Sequence, residues 1–101
     1  MASRLELQTE LERILGSENV YYQPPESTKI VYPAIVYERS DIKSDHADDS
    51  CYIQQHYYRV TFISYDQDND VVELLSKIKT ARYIRHYVVD KLYHDTFTIA
   101  Y

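Results

Sequence analysis

Asp66, Asp68 and Asp70 alternate along the chain with the spacing that opens a calcium-binding loop. Such a loop needs glycine at its sixth position for the sharp turn and a bidentate glutamate at its twelfth; here these are Val71 and Lys77. The acids are better explained as a turn over Asp66–Asp70 whose last members cap a following helix. His46, Asp48, Asp49 and His56 could supply metal ligands, but their spacing matches no structural zinc pattern. Cys51 and His56 are separated by an odd number of residues in one extended segment, so they point to opposite faces and form no local nucleophile–base pair. His86, in a predicted strand, and His94, in a predicted turn, have no evident partner. The expectation is a protein with no catalytic residue, no metal and no cofactor, and therefore not an enzyme.

Composition narrows the classes further. Of 101 residues only one is glycine, against about seven at the average usage of about 7%. Phosphate-cradling loops use several glycines because the backbone must approach the ligand, so a P-loop, a dinucleotide-binding fingerprint and a nucleophile elbow are all excluded. No apolar run reaches about 18 residues, so no membrane-spanning helix is expected. The start MASRLELQTELERIL lacks the basic and then apolar organisation of a signal peptide. The single Cys51 cannot form an internal disulfide. A net charge of −5 argues against nucleic-acid binding as the default role.

Periodicity supplies the elements, read as one domain over residues 1–101. Ser3 and Glu6 form a capping box for a helix over 4–15, with Leu7, Leu11, Ile14 and Leu15 as its apolar stripe and Gly16 as its stop. Residues 20–22 are a short extended piece, followed by Pro24 and Pro25. Residues 30–39 read as a strand in which Pro33, unable to donate to a ladder, marks an edge or a bulge. Residues 40–50 read as a long, polar, exposed loop, well beyond the usual two to five residues of a hairpin connection. A strand over 51–65 follows, with Tyr58, Val60 and Phe62 on one face and Arg59, Thr61 and Ile63 on the other. A second helix is predicted over about 70–80 on Val71, Leu74, Leu75 and Ile78. The chain ends with a strand at 83–89, a turn at 90–95 and a strand at 96–101 in which Phe97, Ile99 and Tyr101 share a face. The fold class is α+β, an antiparallel or mixed sheet with two helices packed on it, in the order α-β-β-β-α-β-β.

Charge is unevenly distributed. Residues 1–50 carry five basic and ten acidic side chains, and residues 51–101 carry six of each. Asp41, Asp45, Asp48 and Asp49, relieved only by Lys43, form an acidic cluster. Lys77, Lys79, Arg82 and Arg85 form a basic one with no intervening acid. Complementary patches on one small chain suit head-to-tail contacts between identical subunits, which close into rings when the rotation allows. The twelve tyrosines are too many for one small core. They divide between cross-strand packing and partly covered surface suited to an interface.

The run Val20-Tyr21-Tyr22-Gln23-Pro24-Pro25-Glu26-Ser27 followed by Tyr32-Pro33-Ala34-Ile35-Val36-Tyr37-Glu38 resembles the tail-terminator, or head–tail joining, proteins of long-tailed bacteriophages. The acidic Ala47-Asp48 segment, Tyr58-Arg59-Val60-Thr61-Phe62 and the ending Asp90-x-Leu92-x-His94-Asp95-x-Phe97 are similar too. The likeness extends from about residue 4 to 101 and rests on packing and turn signatures. It implies an α+β subunit of a homo-hexameric ring that caps the tail tube, stops its growth and offers a docking surface to the head connector. The implied partners are other copies of the chain, the tail tube protein and a neck protein, with DNA passing through the lumen without specific binding and no membrane involved. The implied location is the virion neck or tail, reached from the host cytoplasm during assembly. The expected interface residues are Asp41, Lys43, Asp45, His46, Asp48 and Asp49, then Lys77, Lys79, Arg82, Arg85 and Tyr101. Two other readings remain open: a head-closure or connector-stopper protein of the same neck, and a small acidic non-viral binding module.

Overall fold

A computed structural model describes residues 4–47, 51–66 and 70–101. The elements in chain order are α1 (Arg4–Leu15), β1 (Val20–Tyr22), β2 (Ala34–Ala47), β3 (Cys51–Ser64), α2 (Asp70–Ser76), β4 (Arg82–Val89) and β5 (Leu92–Ala100). The class is α+β, as read from the sequence. The strands form one mixed five-stranded sheet ordered β1-β2-β3-β5-β4. β1 runs parallel to β2, and every other pairing is antiparallel.

Helix α1 forms where the apolar period of the sequence predicts it, and its stripe Leu7, Leu11 and Ile14 is buried. The helix ends because Gly16 adopts a φ of 80° and its amide bonds back to the Glu12 carbonyl at 2.8 Å. That left-handed turn costs glycine little and any other residue more. α2 adds Val71 and Leu75 to the same core. Both helices therefore lie on one face of the sheet, over Ile35, Tyr37, Tyr58, Val60, Phe62, Phe97 and Ile99. The cross-strand pairs Tyr37↔Val60 and Val60↔Phe97 carry this face from one strand to the next.

Tyr37 is fully buried at the centre of this arrangement. Its hydroxyl donates to the Gln8 side-chain oxygen and accepts from the Arg4 guanidinium at 3.2 Å. Gln8 in turn donates to the Val20 carbonyl at 3.1 Å, and Arg4 stacks 4.3 Å from the Tyr22 ring centre. Burial pushes the Tyr37 hydroxyl up, and the Arg4 charge partly opposes that. One phenol thus ties α1, β1 and β2 together.

Several boundaries differ from the sequence reading. β2 begins at Ala34 rather than at residue 30, after a cis Tyr32–Pro33 peptide bond. Residues 35–37 pair with β1 on one side and β3 on the other, so a residue without an amide proton has no place within this stretch. The polar segment expected as a loop over 40–50 is strand up to Ala47 and again from Cys51. Polarity misled because a two-stranded ribbon satisfies its backbone by ladder bonds without needing an apolar face. Asp48, Asp49 and Asp68 lie outside the described residues, as does Ser3 of the expected capping box. α2 ends at Ser76 instead of about 80, and Leu74 is exposed while Ile78 still packs on the core from the following turn. β5 starts at Leu92, so the expected turn over 90–95 shrinks to Asp90 and Lys91.

Those two residues have φ of 52° and 66°, the left-handed pair that suits a two-residue hairpin connection. Aspartate tolerates this region and lysine does so less well. Lys91→Gly is expected to stabilise the protein by about 0.5–1 kcal/mol, a rise of several degrees in Tm measured by thermal unfolding. Tyr37→Phe strands the Gln8 oxygen and is expected to lose about 1–3 kcal/mol in denaturant titration.

Candidate interaction surfaces

The face of the sheet opposite the helices is uncovered, and register shows what stands on it. One cross-strand row runs Glu38, Arg59, Thr98, Arg82; the next runs Val36, Thr61, Thr96, Arg85. Arg59 bonds Glu38 at 3.2 Å, and the hydroxyls of Thr61 and Thr96 lie 3.4 Å apart. Such an exposed ion pair is worth about 0–1 kcal/mol, so it orients the guanidinium more than it stabilises the fold.

Arg82 and Arg85 are three residues apart and would alternate to opposite faces in a regular strand. A register shift between Tyr83 and Arg85 inserts Ile84 as an extra residue and brings both arginines to the open face. Arg85 also stacks 4.6 Å from the Tyr87 ring centre. Two grooves share Ile84. The larger, about 910 Å³, is lined by Ser40, Tyr57, Lys79 and Thr80 together with the start of β4. The smaller, about 500 Å³, lies among Glu38, Arg59, Thr61, Arg85 and Tyr87. Of the basic cluster, Lys79 and Arg82 therefore meet in one groove and Arg85 lines its neighbour, while Lys77 sits in the turn after α2. Arg59 joins this group although the sequence reading did not single it out.

The same bulge turns Tyr83 and His86 together toward the helix side. There the buried Asp95 carboxylate accepts from the Tyr83 hydroxyl at 2.7 Å and from His86 Nδ1 at 2.9 Å. His86 stacks on Tyr93, and His94 stacks on Tyr87 while its Nδ1 bonds the Leu92 carbonyl. This corrects the reading of His86 and His94 as unpartnered and of His94 as a turn residue. The pairing was discoverable: a two-residue turn at Asp90-Lys91 sets His86 directly opposite Asp95. Among the described residues, no three His, Cys, Asp or Glu side chains gather to hold a metal.

The acidic cluster sits elsewhere. Asp41, Lys43, Asp45 and His46 lie along β2 in register with Tyr57, Gln55, Ile53 and Tyr52. Neither β1 nor β5 pairs with this stretch beyond Tyr57. Beyond Tyr57 it forms a two-stranded arm of six cross-strand pairs, about 20 Å long at about 3.3 Å per residue. The molecule accordingly measures 52 × 29 × 23 Å. Tyr101 lies at the foot of the arm, its amide donating to the His56 carbonyl at 3.0 Å, and its ring packs partly on the core.

No protein-family model matches the chain, and no curated protein matches it. No helix among the described residues is long and apolar enough to cross a membrane.

Burial and the adjoining Asp95 carboxylate push the Tyr83 hydroxyl up to about 12 from an ordinary 10. Burial also raises Tyr58 and Tyr101, the latter with help from Glu10 and Glu6. A phenol with a raised folded pKa binds its proton more tightly in the folded state. Its contribution is whole below the unfolded pKa and disappears as pH climbs through the folded one. Stability is therefore expected to decline between pH 10 and 12, and less steeply in Tyr83→Phe. Tyrosinate absorbance should show one fewer late-titrating group in that variant.

Proposed function

We propose that the protein is a structural subunit of a phage tail end, a tail terminator that assembles into a ring, hexameric by the family resemblance, on the head-proximal end of the tail tube. The observation that carries this reading is the unsupported arm beside a free, basic sheet edge. A lone two-stranded ribbon is marginal in water, and an edge strand with half-exposed Ile84 and Val88 invites pairing. Both features are satisfied when subunits meet head to tail. Two different contact surfaces on one chain generate a closed ring when the rotation permits. The place of that ring in the virion is proposed from the sequence resemblance over residues 4 to 101.

In this reading the ring stops tube growth by covering the last tube subunits and offers its other side to the neck. An acidic segment near the lumen lets DNA slide, because no counterions are released where no cations meet phosphate. The polar Glu38–Arg59–Thr98 row and its neighbours offer a grooved, polar surface for the tube or neck protein.

Negative-stain images of the purified protein at high concentration are expected to show rings with a central opening. Charge reversal of Asp45, Asp48 and Asp49 should leave the far-UV circular dichroism unchanged and abolish joining of heads to tails in an assembly assay. Normal yields of joined particles would remove the arm from the joining surface. A pull-down that retains the portal-side adaptor and not tube protein would reassign the ring to the stopper position.

A further inference from the structure

The arm and the β4 edge lie at the same end of the sheet. β3 leaves its last β5 partner at Tyr57↔Ala100, and β4 begins close by at Arg82↔Thr98. The larger groove opens there, between the root of the arm at Ser40 and Tyr57 and the basic residues Lys79 and Arg82. The arm of the same chain runs out from the groove's own wall, so a chain cannot fill its groove with its own arm.

The groove and edge are matched to a particular kind of visitor. Lys79, Arg82 and Arg85 supply positive charge without a local acid on their segment, and Arg59 adds to it although Glu38 takes up part of that charge. Ile84, Val88 and Val89 leave about half of each side chain uncovered along the strand, and among the described residues the outer edge of β4 pairs with no other strand. An extended, acidic strand with an outer side open to pairing fits all three properties. The chain contains one: the 41–47 strand of the arm, whose sequence DIKSDHA carries two acids to one base and which, among the described strands, is laddered to β3 alone.

Resting on the ring reading, we propose that the β2–β3 arm of one copy docks in trans on the β4 edge and the Lys79–Arg82 groove of the next copy. The contact adds a strand to an exposed edge, so main-chain bonds supply affinity and charge sets the partner and direction. A β4-to-β4 pairing of two copies is disfavoured because Arg82–Val89 holds no acid to set against Arg82 and Arg85, whereas the arm brings two. The arm-to-edge contact is heterologous. Each copy gives an arm and accepts one, which is the geometry that a ring requires.

Two half-defective subunits test this. In the first, residues 43–55 are replaced by Asn-Gly, a pair suited to a two-residue hairpin turn. In the second, Arg82→Glu and Arg85→Glu reverse the edge. Native mass spectrometry is expected to find each variant monomeric at concentrations where the wild type assembles. Their mixture should give a one-to-one heterodimer that grows no further, since only one arm and one edge remain functional. A mixture that stays monomeric beside ring-forming wild type overturns the arm-to-edge contact and leaves the ring reading standing. A wild type that is monomeric throughout overturns both. Should the shortened variant fail to fold, isotopically mixed wild-type protein gives an independent reading. An amine cross-linker is expected to join Lys43 of one isotopic form to Lys79 of the other, and rings without that link refute the contact.

Discussion

The buried phenol of Tyr37 is the contact on which the rest of the molecule hangs. A hydroxyl placed among Val60, Tyr58 and the α1 stripe is costly unless its bonds are made, and Gln8 and Arg4 make them. Because both partners are on α1, the phenol fixes where along the sheet the helix lies. Through the Gln8 bond to the Val20 carbonyl it also fixes β1, the one parallel strand. Apolar packing alone would hold the helix with less positional discrimination, since Leu7, Leu11 and Ile14 are interchangeable with respect to a small slide.

With both helices committed to one side, the other face of the sheet is left with threonine, arginine and glutamate. These residues suit water or a polar partner, and their rows run unbroken from β3 to β5 because that register is regular over eight pairs. The arm and β4 extend the same asymmetry sideways: among the described residues, one is a two-stranded ribbon and the other an outer strand of the sheet. A chain of this size has little apolar surface to spare, and it concentrates what it has under the helices.

Much of this was legible from residue types. α1 follows from its leucine period and a glycine stop, and the alternation of Tyr58, Val60 and Phe62 against Arg59 and Thr61 marks the two faces of β3 in advance. What periodicity could not convey was pairing. The arm is polar on its way out and back, so hydropathy describes it as a loop even though cross-strand bonds make it a ladder. The Tyr83–Asp95–His86 cluster depends on a two-residue turn carried by Asp90 and Lys91, without the glycine that usually advertises such turns. The meeting of Arg82 with Arg85 depends on a bulge, which no composition rule foretells. The candidate surfaces were thus visible as charge clusters, while their faces, neighbours and grooves came only with the register.

The bulge at Ile84 makes β4 sensitive to how its extra residue is accommodated. On its C-terminal side His86 faces the Asp95 carboxylate; on its N-terminal side Tyr83 does, and leaving Ile84 out of the ladder keeps these two halves in phase. Pairing Ile84 into a regular ladder would swap the faces of everything before it, sending Arg82 to the helix side and the Tyr83 phenol to the open side. Loss of Ile84 itself would leave both arginines and the Tyr83–Asp95–His86 cluster on their present faces. Among descendants of this chain, a gap at that one position is therefore compatible with the same open face, whereas a residue gained there would have to leave the ladder as Ile84 does.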